Sequence, residues 1–407
     1  LNYEVLESIF PFLTGSTVFK IVDRWGYPWE THSVVTNDGY VLVMHRIPYG
    51  KPRPKEPRPV VFLQHGLLCT SSVWVMNLPH QSPAFIFADY GFDVWMGNSR
   101  GNSYSRGHVE TDTTQNNYWH FSWSEMADYD LPAMIDRVLN LTGQESLYYL
   151  GHSQGTLTML SKLSKDRYLN KKVWFFLLII FLFLKLLAIK NSLKIFSKLN
   201  FQLFSMMFGD TEFLPNNIVT RVITQFLCGI ASKDPLCENF IFLISGPDSN
   251  QMNKVNTKLP VFFIYTRIGV YLAHNPAGTS TRNMMHYAQM VHSGQHIPYD
   301  DYIPEANLKR YGPYPPPYNI SNIMVPIYLY YSDADWVATS KDVESYLLTQ
   351  LPKKYLKLAE KLDDFNHNDF LWGLRAPEEI YVPIAKNIRR DFEKYAYLLR
   401  SDAKGIL

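Results

Sequence analysis

Short, nearly continuous apolar runs separated by loops recur along this chain, and they predict strands buried on both faces. Pro59 to Gln64 (PVVFLQ), Phe92 to Met96 (FDVWM), Leu147 to Leu150 and, much later, Pro326 to Tyr331 (PIYLYY) are such runs. Val34 to Val43 reads as a hairpin, with Asn37, Asp38 and Gly39 supplying the turn between two β-prone arms. Between the strands the period changes. From Ser124 to Leu139 the apolar positions Met126, Leu131, Met134, Ile135 and Val138 share one helical face, and Thr156 to Leu163 is a second helical stretch. Strands alternating with helices predict an α/β fold with a mostly parallel sheet. From about Lys190 to Pro317 strand signals thin out while Phe, Met, Pro and Asn become frequent, as in an inserted, mainly helical region. Near the end Ile380, Ile384 and Ile388 fall at helical spacing, with Pro383 expected to disturb the first turns. The predicted organisation is a core of residues 1–185, a helical cap with a lid over 186–320, and the rest of the core over 321–407.

Composition narrows the function classes. The chain has 407 residues, 46% hydrophobic and 19% charged, which fits a packed globular protein. Its 39 basic residues against 37 acidic ones create no field favouring nucleic acid. Aromatic residues make up 15%, enough to line an apolar ligand pocket as well as a core. Three cysteines cannot form a disulfide framework, although Cys228 and Cys237 lie close enough in sequence to close a short loop in an oxidising compartment, leaving Cys69 free. The sequons at Asn140 and Asn319 lean toward the same secretory environment. The sequence opens at Leu1 without a signal region, so either a leader has been removed or the N-terminal piece is incomplete.

The chemistry begins at Gly151-His152-Ser153-Gln154-Gly155, a G-x-S-x-G motif set between a predicted strand and a predicted helix. Glycines flank the serine because a nucleophile on so sharp a turn leaves no room for neighbouring side chains. A nucleophilic serine needs a base, and the base an orienting carboxylate, in the chain order serine, acid, histidine for an α/β-hydrolase fold. His367 is the one histidine beyond the late strand, and Asp333 and Asp335 both sit in the loop after that strand. Asp335 is preferred, since an acid several residues past the strand end can turn back toward the histidine. Gln64-His65-Gly66-Leu67 follows the strand at Pro59, where a His-Gly pair directs a backbone N–H at the nucleophile. The expected oxyanion hole is the N–H of Leu67 with that of Gln154.

Other chemistries fare worse. His292 and His296 have the spacing of a zinc pair but lack an obvious third ligand, so no metal is expected. Phosphate-loop and dinucleotide fingerprints are absent from the sequence, and no cofactor is expected. Cys69, beside the oxyanion strand, reads as a small buried hydrophobe rather than a nucleophile.

These residues resemble the acid lipase family, which contains gastric lipase and lysosomal acid lipase, and the resemblance covers nearly the whole chain. It is carried by Trp25-Gly-Tyr-Pro, Thr36-Asn-Asp-Gly-Tyr40, Phe62-Leu-Gln-His-Gly-Leu67, Asp93-Val-Trp-Met-Gly-Asn-Ser-Arg-Gly-Asn102 and Met126-Ala-Asp-Tyr-Asp-Leu-Pro132. Gly151 to Gly155, His274-Asn-Pro-Ala-Gly-Thr-Ser280 and Asn366-His-Asn-Asp-Phe370 continue it. The resemblance implies hydrolysis of triacylglycerols or sterol esters, with Ser153 as nucleophile, His367 as base and Asp335 as its partner. It further implies a lid over the site, a disulfide between Cys228 and Cys237, a lipid substrate met at an emulsion or membrane interface, and a secreted or lysosomal destination. A monomer or weak dimer is expected, without a permanent membrane span. The rival functions are a thioesterase, carboxylesterase or peptidase on the same fold and a non-catalytic lipid-binding or storage protein.

Two stretches depart from the family pattern. Val173 to Leu184 is an unbroken apolar run, too short for the roughly 20 residues a bilayer needs, and is expected as a buried strand running into a cap helix. Val261 to Gly269 reads as extra residues ahead of Val270-Tyr-Leu-Ala-His274. Both are candidates for translated non-coding sequence, a reading that contiguous transcripts across them would refute.

Overall fold

The structure, a computed structural model, describes residues 17–51, 58–179, 209–216, 246, 247, 249, 251, 268–301 and 304–404. Its strands are β1 (Glu30–Val35), β2 (Tyr40–Ile47), β3 (Val60–Gln64), β4 (Asp93–Gly97), β5 (Gly107–His108), β6 (Leu147–His152), β7 (Val173–Ile179), β8 (Glu212–Phe213), β9 (Thr279–Ser280), β10 (Ile327–Ser332) and β11 (Leu356–Leu362). Among the described residues the main sheet has nine strands in the order β1-β2-β4-β3-β6-β7-β10-β11, with β5 beside β2. β1 and β2 form the antiparallel hairpin expected from the Asn-Asp-Gly turn, where Gly39 takes a φ of 94° that side chains disfavour. From β4 to β11 the pairing is parallel.

The unbroken apolar strands now have their reason: both faces of the sheet are covered. Val60, Phe62, Trp95 and Tyr149 point to one face, where they meet Met134, Ile135 and Val138 of α1 (Leu131–Thr142) and Leu157 and Leu160 of α2 (Gln154–Lys165). Val61, Leu63, Val94, Met96, Tyr148 and Leu150 point the other way, against Phe85 and Phe87 and against Ile384 and Ile388 of the C-terminal helix α4 (Val382–Lys404). A side chain of that size gains about 1.5–3 kcal/mol from full burial, so the two layers dominate the energetics. Ile380 belongs to a π-type turn at Pro377–Tyr381 that runs straight into α4, so Pro383 lies within one continuous helical stretch just after that turn.

The helix expected over Ser124–Leu139 runs from Trp123 through a π-type segment at Met126–Asp130 into α1. Ser122 and Glu125 form a capping box at its start, and Gly143 ends α1 with a φ of 69°. Within the expected insertion, β8 and β9 pair with each other rather than with the main sheet. α3 (Thr281–Ser293) follows β9 directly, its first turn capped by the Ser280 side chain. Val173–Ile179 of the long apolar run forms β7, between β6 and β10. The rest of that run, Val261–Arg267, and Cys228 with Cys237 lie outside the described residues. No helix among the described residues is long and apolar enough to cross a membrane.

Candidate active site

β6 ends at His152, α2 begins at Gln154, and Ser153 sits alone between them with φ 53° and ψ −117°. A non-glycine residue is rarely held there, and the surroundings explain why it stays. The Ser153 carbonyl accepts from the N–H groups of Thr156 at 3.0 Å and Leu157 at 3.1 Å. Thr156 Oγ1 donates to the Gly151 carbonyl at 2.9 Å and Tyr149 OH to the Gly155 carbonyl at 2.7 Å, pinning both flanks. The motif glycines answer to distances. A Cβ on Gly151 would come within 2.8 Å of Thr156 N, and one on Gly155 within 2.4 Å of the Gln64 carbonyl oxygen. The second contact sets the first turn of α2 directly on the end of β3.

After β3 the chain turns past the serine. A Cβ on Gly66 would lie 2.9 Å from Ser153 Cβ and 3.3 Å from its Oγ, so only glycine lets this loop approach. His65 holds the loop: its Nδ1 donates to the Gly66 carbonyl at 2.8 Å while Nε2 accepts from Ser99 N at 3.1 Å. Burial pushes its pKa down to about 4, the neutral form that such one-donor, one-acceptor bonding requires. Gly66, which Leu67 follows in the chain, therefore lies against the serine, and Gln154, the first residue of α2, follows it directly. The Gln154 N–H belongs to the helical first turn, which has no partner within the helix.

Asp335 and His367 come together at the ends of β10 and β11. Asp335 is 1% exposed, and its Oδ1 accepts from the N–H groups of Val337 and Ala338, each at 2.8 Å. Its Oδ2 lies 2.9 Å from His367 Nδ1. Asp333 instead faces solvent and pairs with Lys361 at 2.9 Å. His367 approaches the elbow through His152, whose Nε2 donates to the His367 carbonyl at 3.1 Å. No hydrogen bond joins Ser153 to the His367 ring, and such contacts commonly close only in the reacting complex.

The remaining candidates resolve differently. His296 is buried with Nε2 2.8 Å from Ser161 Oγ, and no group of three metal-binding side chains occurs among the described residues. Burial pushes the Cys69 thiol up to about 12, which favours the protonated thiol at neutral pH. Asn140 and Asn319 are both exposed, as glycosylation would need. Sequence reasoning missed His152, Asn283 and Tyr287, which hold His367 and Gln154. Nothing in local periodicity flags residues that act across more than a hundred positions.

Residues 18–78 match the family described as a partial alpha/beta-hydrolase lipase region, and residues 59–173 match the alpha/beta hydrolase fold family. Lipase lipl-1 of Caenorhabditis elegans is 47% identical over 385 residues, covering 92% of this chain and 92% of its own. Human gastric triacylglycerol lipase is 40% identical over 380 residues, covering 92% of this chain and 91% of its own. Among solved structures, an alpha/beta hydrolase fold protein from Nakamurella multipartita superposes with a TM-score of 0.50 at 12% identity, covering 88% of this chain and 98% of its own.

Proposed function

The chain belongs to the α/β-hydrolase lipases of the gastric and lysosomal type, carboxylic ester hydrolases by family, and from that premise we propose that it cleaves neutral lipid esters through Ser153, His367 and Asp335. The observation that carries this reading is the buried Asp335 carboxylate 2.9 Å from His367 Nδ1, with His367 tied to the residue beside an elbow serine.

In the proposed reaction Ser153 Oγ attacks the ester carbonyl carbon while His367 Nε2 takes its proton. Asp335 keeps the other imidazole proton on Nδ1 and stabilises the imidazolium. The carbonyl oxygen, now negative, receives the N–H groups of Leu67 and Gln154, and losing one such donor typically costs about 3 kcal/mol. The tetrahedral intermediate expels the alcohol, protonated by His367. Water then attacks the acyl-serine with His367 again as base, releasing the acid and restoring Ser153.

Triacylglycerols or sterol esters are the proposed substrates, met at an emulsion or membrane surface. A helical cap with a lid, spanning the insertion, would shield the acyl chains and exclude water during the reaction. The exposed sequons at Asn140 and Asn319 support entry to the secretory route, ending outside the cell or in the lysosome. Labelling by a fluorophosphonate probe tests the assignment. The parent protein is expected to label and to hydrolyse emulsified triolein, and Ser153→Ala to do neither. A folded parent that resists the probe with detergent present would overturn it.

A further inference from the structure

Gln154 is a buried glutamine, and both hydrogen-bonding positions on its Oε1 are filled. Asn283 Nδ2 donates to it at 2.9 Å and Tyr287 OH at 2.8 Å, while its own Nε2 faces Met126 Sδ at 3.2 Å. Asn283 and Tyr287 stand one turn apart on α3, on the same face. Asn283 is itself held from several sides. Its Oδ1 accepts the Trp123 N–H at 2.8 Å, its Nδ2 also reaches Thr279 Oγ1 at 3.0 Å, and its N–H goes to the capping Ser280 Oγ at 2.9 Å.

A few residues upstream the same segment grips the other side of the site. The Ala277 N–H donates to the Leu68 carbonyl at 2.7 Å, and the Ala277 carbonyl accepts from Ser103 N at 3.0 Å. Leu68, at φ 59°, adjoins Leu67. One short stretch, Ala277 to Tyr287, therefore bonds to the residue carrying one expected oxyanion donor and to the neighbour of the other. The two donors come from opposite sides of the serine, after β3 and at the start of α2, so a single strut touching both can fix their spacing.

We infer that Ala277–Tyr287 is the strut that sets the oxyanion hole, with Asn283 and Tyr287 as positioning residues acting through the Gln154 side chain. The inference rests on the assignment of Leu67 and Gln154 as oxyanion donors. A backbone donor acts only when aimed where the charge develops, so a Gln154 free to shift weakens transition-state binding and leaves ground-state ester binding largely alone. The effect falls on kcat and on the rate of phosphonylation, not on KM.

The test is a cycle of Tyr287→Phe, Gln154→Ala and the double variant, assayed for kcat, KM and fluorophosphonate labelling rate on the full chain. Tyr287→Phe keeps the ring and removes one bond to Gln154, and is expected to lower kcat and labelling rate together by about fivefold, with KM unchanged. Gln154→Ala keeps the backbone N–H but releases the clamp, and is expected to cost about ten- to a hundredfold. The double variant should be no slower than Gln154→Ala, because both changes cut the same link. A Tyr287→Phe enzyme with parental kcat, or a double variant whose loss is the product of the singles, overturns the strut. A parent that neither labels nor hydrolyses would instead overturn the site assignment, so the two failures are distinguishable.

Discussion

Replacing Asp335 with asparagine isolates what the carboxylate contributes to the proposed triad. Asparagine has the same shape, and the two backbone donors dictate how it sits. The N–H groups of Val337 and Ala338, both 2.8 Å from Oδ1, demand an acceptor there, so the amide oxygen takes that place. The amide NH2 must then replace Oδ2 and face His367 Nδ1, 2.9 Å away. Nδ1 can satisfy that donor only by accepting, which moves the single ring proton to Nε2. That is the nitrogen required to receive the proton of Ser153, so the base is disabled while the packing survives. The expected loss in kcat is about 10⁴-fold, or roughly 5.5 kcal/mol of transition-state stabilisation. The stability loss is smaller, about 1.5–3 kcal/mol for one charge-assisted hydrogen bond. Hydrolysis of a short, soluble chromogenic ester with parallel thermal unfolding reads both quantities. Asp333→Asn is the control: its carboxylate faces solvent beside Lys361, and kcat is expected to be unchanged. An Asp335→Asn enzyme that stays within about tenfold of the parent would refute the reasoning, since the wrong tautomer cannot act as the base.

Two further outcomes follow from the packing. Gly155→Ala puts a Cβ 2.4 Å from the Gln64 carbonyl oxygen and 2.9 Å from that of His65, both backbone atoms, so α2 must lift off β3. Urea unfolding is expected to show a loss of about 1–3 kcal/mol together with slower probe labelling, and an unchanged midpoint would contradict the contact. Five buried histidines make the fold sensitive to acid, His152 among them, held well below its ordinary value by burial. Burial pushes His45 and His65 down to about 4 and His286 and His296 to about 3, while the unfolded chain takes up protons near 6.5. Between those values the unfolded state binds more protons, so stability is full above 6.5 and falls as pH drops toward 3–4. The upper bound is on the order of 3 kcal/mol each for His45 and His65 and 5 kcal/mol each for His286 and His296. Denaturant midpoints at pH 7 and pH 4.5 check this. Midpoints equal at the two pH values would show that the histidines are not held neutral.

The strands β3, β4, β6 and β10 were legible in the chain because parallel strands covered on both faces must be apolar throughout, a local property of a few consecutive residues. β11 was not. Its sequence, Leu356-Lys-Leu-Ala-Glu-Lys-Leu362, carries three charged side chains at a half-exposed sheet edge, and only pairing with β10 makes it a strand. The elbow was readable as well, since flanking glycines and a following helix announce a serine at positive φ. Chain order offered two aspartates and one histidine, and burial separates the aspartates: Asp335 is enclosed with His367, while Asp333 faces water.

What the sequence by itself determined was the kind of fold, the family and the residues able to do the chemistry, because side-chain period and motif spacing are written over a few to a few tens of positions. What only the tertiary structure decided was which of those residues meet and what holds them. Asn283 and Gln154 are 129 positions apart, and His152 and His367 are 215 apart. Hydrogen bonds at about 3 Å across such separations depend on how both layers pack against the sheet, and no local pattern records that distance.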